Sequence, residues 1–244
     1  MYSAKEILSE FESLDTADWL KSIEKYLKGK SFDDVVLKLE GGAEIRPFYR
    51  KEDVNALHLP VLNSNNWLIA ESFSYDGGDC LLFNKELISA LMNGNESVNL
   101  QLNAGNPALL SDLLENVYLN MIELNLSGTA FEKAPAAWLA ELAQLSDGKA
   151  KGYAKIADNK DSLALYQEFS DTLPNFSFFN FKLEIDKSII PNLAKLLKEI
   201  NGAFDLMIQN GIRAELAQKQ INIEISLSED YFLCIASIRA LKKL

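Results

Sequence analysis

The sequence predicts an α/β fold built on a parallel sheet, and three observations carry that reading. From residue 66 onward, short apolar runs alternate with longer runs whose apolar residues recur at helical spacing. The pair repeats about six times in the remaining 180 or so residues. No Pro/Gly linker and no low-complexity stretch interrupts the rhythm. Strict strand–helix alternation implies parallel strands joined by right-handed crossovers.

The elements follow in order. Ile7, Leu8, Phe11 and Leu14 are spaced for one helix face. Asp15 or Thr16 then caps a second helix carrying Trp19, Leu20, Ile23, Tyr26 and Leu27. Lys25 and Lys28 suit the negative end of its dipole, and Gly29 ends it. A hairpin is expected next, with strands over 35–39 and 43–49 about a Gly41-Gly42 turn. Strands are then expected over 67–73, 98–102, 118–124, 152–156, 176–183 and 223–227. Helices are expected over 85–92, 108–114, 135–145 (Pro at its first position), 161–169, 189–209 and 230–241. Residues 1–60 thus read as a helical arm with a hairpin, and 61–244 as the α/β body.

The body's strands are only partly alternating, as in Asn99-Leu-Gln-Leu102. A doubly wound sheet reads as more uniformly apolar. A barrel with polar interior positions competes with it, although barrels usually have eight units and this chain supplies about six. An open barrel leaves two strand edges unpaired, to be covered by the arm or by a partner.

Composition excludes several functions. The chain has 244 residues, with 24 Lys+Arg against 35 Asp+Glu and a net charge of −11. Such a surface repels phosphate backbones, so no nucleic-acid role is expected. A single His and two distant cysteines, Cys80 and Cys234, offer no zinc cluster and no CxxC redox pair. Free thiols in a reducing cytosol account for the cysteines. No apolar run approaches the roughly 18–20 residues of a membrane span, and the acidic N-terminal stretch lacks a signal peptide's layout. A cytoplasmic protein is expected.

Catalytic motifs are scarce. No GxGxxG, P-loop, GxSxG or HExxH is present. Gly77-Gly78 follows the first body strand, but Asp76 and Asp79 flank it and repel anions, which favours a plain turn. Asn103-Ala-Gly-Asn106-Pro offers amides and helix-start N–H groups, and reads more simply as a capped βα turn. His58 is the one ready acid/base near neutral pH, yet it precedes the first body strand. Glu71, Asp158, Glu184 and Glu229 lie at or past strand ends, where two could converge as paired carboxylates; the preference of helix N-termini for acids accounts equally for Asp161, Glu229 and Asp230. Strand alternation places Phe176 and Phe178 on one face and Phe179 and Phe181 on the other, which favours core packing on both sides over a ligand cavity.

Three segments carry a family resemblance. The first is Asp18-Trp-Leu-Lys-Ser-Ile-Glu-Lys-Tyr-Leu-Lys-Gly29, then Phe32, Gly41-Gly42, and Ile45-Arg-Pro-Phe-Tyr-Arg-Lys-Glu-Asp53. The second is Trp67-Leu-Ile-Ala-Glu-Ser-Phe73, and the third is Tyr231-Phe-Leu-Cys-Ile-Ala-Ser-Ile-Arg-Ala240. The first resembles the N-terminal region of the methylmalonyl-CoA mutase family, where a Trp, a K-L-K-G and a P-x-Y-x-x-x-D recur in that order. The second resembles the family's first barrel strand. The third is similar to its sixth strand-and-helix segment, of pattern F-x-x-I-A-K-L-R-A. The middle of the chain matches only in rhythm.

The resemblance implies an incomplete TIM-type (β/α) barrel after an N-terminal arm and hairpin. It also implies a process, the isomerisation of methylmalonyl-CoA and succinyl-CoA by a radical started from adenosylcobalamin. The catalytic pattern departs here. The substrate segment T-R-G-x-Y has no counterpart between His58 and Asn66. The stretch matching the family's Tyr-His pair is about Asn180-Phe-Lys-Leu183, without His. A cobalamin-binding D-x-H-x-x-G cannot exist in a chain whose one His is His58. The resemblance therefore implies a non-catalytic small (beta) subunit, with no catalytic, cofactor-binding or metal residue of its own. Its expected partner is a large catalytic subunit holding the adenosylcobalamin, or a second copy of itself. Phe11, Trp19 and Tyr26 on the arm are the expected interface anchors; equally, the arm covers its own barrel. The competing expectation is a degenerate barrel that binds an acyl-CoA or another small ligand at the C-terminal ends of its strands.

Overall fold

The computed structural model describes residues 15–38, 44–50, 53, 67–186 and 188–243. The chain divides into two compact units, Met1–Leu59 and Pro60–Leu244.

In the first unit, α1 (Thr16–Tyr26) starts where Asp15 accepts a hydrogen bond from the Asp18 N–H at 2.8 Å. It ends where Lys28 and Gly29 both take positive φ. A 3-10 turn over Phe32–Val35 follows, fixed as the Ser31 N–H donates to the Asp34 carboxylate at 2.9 Å. That local bond consumes the start of the expected strand. The hairpin is therefore short: β1 (Leu37–Lys38) pairs antiparallel with β2 (Glu44–Ile45). The Gly41-Gly42 turn and the helix expected at 7–14 lie outside the described residues.

The second unit holds β3 (Ala70–Tyr75), α2 (Cys80–Met92), β4 (Ser97–Leu102), α3 (Leu110–Leu113) and β5 (Glu123–Ser127). Next come α4 (Thr129–Lys133), α5 (Pro135–Ser146), β6 (Lys151–Tyr153), α6 (Asn159–Phe169) and β7 (Asn175–Ser177). It closes with β8 (Phe179–Glu184), α7 (Ile189–Gln209), α8 (Ala214–Lys219), β9 (Ile221–Ser226) and α9 (Tyr231–Leu241). The mixed α/β class and the parallel sheet are as expected. Strands β3 to β7 form a five-stranded parallel sheet in chain order, and β8 pairs parallel with β9. The order never reverses among the described strands, so they contain no switch point of the kind that defines a doubly wound sheet.

Several boundaries moved for local reasons. Helix α2 starts at Cys80 rather than 85 because Asp79 accepts from the Leu81 N–H at 2.9 Å. Strand β5 starts at Glu123 rather than 118. Asn116 takes φ 60° and Met121 N–H closes a turn on the Tyr118 carbonyl, so the stretch before Ile122 cannot extend. The apolar Tyr118 and Met121 that suggested a strand stand exposed instead. Helices α4 and α8 were not expected.

The expected strand over 176–183 is really two. Tyr153 is opposite Ser177 in β7, and Asn180 is opposite Asn222 in β8. Asn222 donates to the Ser177 hydroxyl, so Ser177 and Asn180 share a face although they are three residues apart. Alternation has slipped by one at Phe178–Phe179, as in a β-bulge. The Gln220 side chain fills the interrupted ladder: its Oε1 accepts from the Phe178 N–H at 3.2 Å and its Nε2 donates to the Phe176 carbonyl at 3.3 Å. This corrects the alternation expected for the phenylalanines. All four are buried, as core packing requires, but the slip turns Phe179 and Phe181 away from the polar face that strict alternation would have given them.

Register sorts the sheet into two faces. One carries the row Phe73, Leu100 and Leu126, covered by Phe131, Trp138 and Leu142 from α4 and α5. The other carries Ser72, Asn99 and Asn125, then Ser74, Gln101 and Ser127. Gly152 lets β6 approach β5. Its φ is +136°, and a Cβ there would fall 2.0 Å from the Leu124 carbonyl oxygen.

Candidate functional site

Among the described residues, polar side chains gather on one face of the sheet, and strand register puts them there. Across β3, β4 and β5, the Asn125 amide donates to Asn99 Oδ1 at 2.9 Å, and the Asn99 amide donates to the Ser72 hydroxyl at 3.4 Å. Asn125 Oδ1 accepts from the Tyr153 N–H at 3.2 Å, which carries the ladder to β6. Asn222 and Ser177 continue it to β9 and β7. Short amides suit this work, since each can donate and accept across the strand spacing.

The charged members follow β6. Lys155 forms an ion pair with Glu224 at 2.8 Å. The Tyr153 phenol lies half-buried near Glu224 and Glu123; burial first, then Glu224, then Glu123 push its pKa above the ordinary tyrosine value. On β8, Lys182 and Glu184 hydrogen-bond at 2.8 Å, which raises the amine's pKa and lowers the carboxyl's. Asn180 Oδ1 is buried without a hydrogen-bond partner among the described residues. At the N-terminal ends of the strands a cavity of about 330 Å³ opens, lined by Glu123, Lys151, Tyr153, Asn175, Ser177 and Asn222 among others. Such a lining offers hydrogen-bond donors and acceptors to water or to an oxygen-rich ligand. It sets up no nucleophile beside a base. Among the described residues no group of three or more His, Cys, Asp and Glu could hold a metal ion.

The carboxylates picked from the sequence have separate tasks. Glu71 accepts from the Asn95 amide. Asp158 caps α6 through the Lys160 N–H at 2.6 Å. Glu184 is held by Lys182, and Glu229 precedes Asp230, which caps α9 through the Leu233 N–H at 2.9 Å. Gly77 and Gly78 make a turn at positive φ, and Asp76 and Asp79 are used locally, by Asn103 and by the α2 cap. Asn106 accepts from the Ala108 N–H at 3.1 Å, the expected capped turn. Cys80 and Cys234 are free thiols. His58 and Phe11 lie outside the described residues.

Trp19 is part-buried in the first unit, its ring edge-on to Phe48 at 4.1 Å with the Arg50 guanidinium 5.9 Å away. Tyr26 is 84% exposed. Sequence reasoning missed the amide ladder. Its signal was the polar residue at every second position of the short strands, visible in Ser97-Val-Asn-Leu-Gln-Leu102 once register is known.

No protein-family model matches the chain. The methylmalonyl-CoA mutase small subunit of Porphyromonas gingivalis (strain ATCC BAA-308 / W83) is similar to it, with 27% identity over 136 residues. That match covers 50% of this chain and 22% of the longer protein.

Proposed function

We propose that the chain is a small-subunit-like component of an adenosylcobalamin-dependent methylmalonyl-CoA mutase, and that it packs against and stabilises the large catalytic subunit. The observation that carries this reading is the similarity to a mutase small subunit, joined to a polar face without a catalytic constellation. The stretch where catalytic relatives are expected to place Tyr and His holds Asn180 and Lys182. The described residues offer no imidazole for cobalt, because the one His is His58. They do not fit a cobalamin, which in this reading belongs to the partner. Residues 61–244 supply the first six units of a (β/α) barrel, with the amide ladder on its interior, and residues 1–60 form the arm. Parallel strands in unbroken chain order support the barrel. Tyr26, with Phe11 and Trp19, anchors the arm on the partner; its exposure supports that role. The test is co-purification: the chain should elute with a mutase large subunit, and a lack of affinity between them would overturn the reading.

The cavity favours a second reading. A polar space lined by Lys151 and Lys219 suits one anionic group of a larger ligand, such as a phosphate of an acyl-CoA, although it opens at the N-terminal ends of the strands and not at the C-terminal ends where a barrel is expected to bind. Calorimetry with an acyl-CoA should then give a heat of binding that Lys151→Ala weakens. No heat at any concentration would sink this version.

A further inference from the structure

We propose that the cleft between α5 and α6 is a docking site for an arginine-bearing segment of a partner protein. The cleft measures about 510 Å³ and lies within the second unit. Its walls are mostly apolar, made by Pro135 of α5, Ile156 shortly after β6, and Ala164 and Leu165 of α6. Two carboxylates, Glu132 of α4 and Asp161 of α6, join the lining. It is separate from the cavity at the strand N-terminal ends, because Glu132 and Ile156 follow the C-terminal ends of β5 and β6.

The sequence builds each wall locally. Asp158 accepts from the Lys160 N–H at 2.6 Å and so starts α6 at Asn159. Asp161, Ala164 and Leu165 then fall at i, i+3 and i+4, on one helix face. On the other side α4 ends at Lys133 and α5 begins at Pro135. Proline suits the first position of a helix, and its ring adds apolar surface without an N–H. Ile156 reaches the cleft where the chain leaves the sheet, just after the Lys155 N–H donates to the Leu126 carbonyl at 2.8 Å.

The two acids differ from the others around them. Asp15, Asp79, Asp158 and Asp230 cap helices, and Asp147, Glu184 and Glu224 pair with lysines. The Glu132 and Asp161 carboxylates have no hydrogen bond or ion pair among the described residues, and both residues are exposed. The dipole of α6 favours an acid at position 161 but gives it no partner. Lys133 and Lys160 adjoin these acids in the chain and line no part of the cleft.

Charge and shape together select the occupant. Apolar walls favour a methylene stem and carboxylates favour a cationic head, and arginine and lysine carry both. An apolar residue alone would shield the carboxylates from water without pairing them, and an acidic one would be repelled. Arginine is preferred to lysine because its planar fork of donors can serve two carboxylates at once. The space exceeds one side chain, so it takes apolar neighbours of the arginine as well. At longer range the net charge of −11 draws basic partners toward the chain. The proposal holds whichever protein supplies the segment and does not rest on the mutase reading.

The test titrates the isotope-labelled full chain with the peptide acetyl-Leu-Arg-Leu-amide, followed by nuclear magnetic resonance. The amide signals of Ile156, Ala164 and Leu165 should move and saturate. The citrulline analogue, alike in shape but uncharged, should bind at least about tenfold more weakly, the scale of a lost charge-assisted hydrogen bond. The arginine peptide should be weakened as much on the Glu132→Gln/Asp161→Asn variant, whose signals away from the cleft check its folding. If that variant unfolds, Glu132→Gln alone takes its place. An absence of saturable shifts overturns the proposal. So do shifts spread over the acidic surface rather than the cleft, or equal binding by the citrulline peptide or to the variant.

Discussion

The two faces of the second unit's sheet are built from the same strands and obey opposite rules. On one, Leu100, Leu126 and their neighbours are sealed under Trp138 and Phe131. On the other, Asn125 donates to Asn99 and Asn222 donates to Ser177 through side-chain hydrogen bonds. The difference separates two tasks. Burial of large apolar groups supplies most of the folding free energy. A hydrogen-bonded polar lining returns little net stability, about 1 kcal/mol per bond, because water competes for the same groups. The polar face is therefore available for binding at small cost to the fold, while the apolar face is not.

Substitutions test this division. Trp138→Ala should have the largest effect, a loss of about 3–5 kcal/mol in denaturant unfolding, as expected for emptying a buried aromatic site. The ring is fully buried and its Nε1–H donates to the Ala130 carbonyl at 3.2 Å. Gly152→Ala should cost about 2–4 kcal/mol, since it combines overpacking with a backbone angle that suits only glycine; β5 and β6 would have to separate. Asn125→Ala should cost about 1–2 kcal/mol and leave the circular dichroism spectrum unchanged. If it destabilised as much as Trp138→Ala, the polar face would be core and the division would fail. Glu224→Gln should be smallest, under about 1 kcal/mol, because the ion pair with Lys155 is partly exposed and screened.

The alkaline limb adds a check of the polar face. The Tyr153 pKa is raised in the folded state, so the unfolded chain loses that proton first as pH rises. Its contribution is fully present below the ordinary tyrosine value and is lost as pH climbs through the raised one. Stability of the native chain should fall in that alkaline window, and Tyr153→Phe should shallow the fall. An identical pH profile in the variant would mean that Tyr153 is not held between the two glutamates.

The strand–helix rhythm was legible because helices as long as α7 and α5 imprint a 3.6-residue period over several turns. Short strands do not. Tyr118 to Met121 looks like a strand by composition, yet a backbone turn there decided where pairing began. The slip at Phe178–Phe179 was illegible for another reason: it depends on Gln220, some forty residues away, replacing backbone bonds with its own amide. The amide ladder likewise exists only across strands, and residue spacing within one strand carries no record of it. Caps were the best local guide, as Asp15, Asn106 and Asp158 each did what their residue type favours.

The most direct test of the central claim uses the full chain with a purified mutase large subunit, adenosylcobalamin and methylmalonyl-CoA. The thermal midpoint of the large subunit and the turnover of each sample are measured with and without the chain. The account predicts a raised midpoint for the mixture and no turnover by the chain alone. An unchanged midpoint, or isomerisation by the isolated chain, would contradict it.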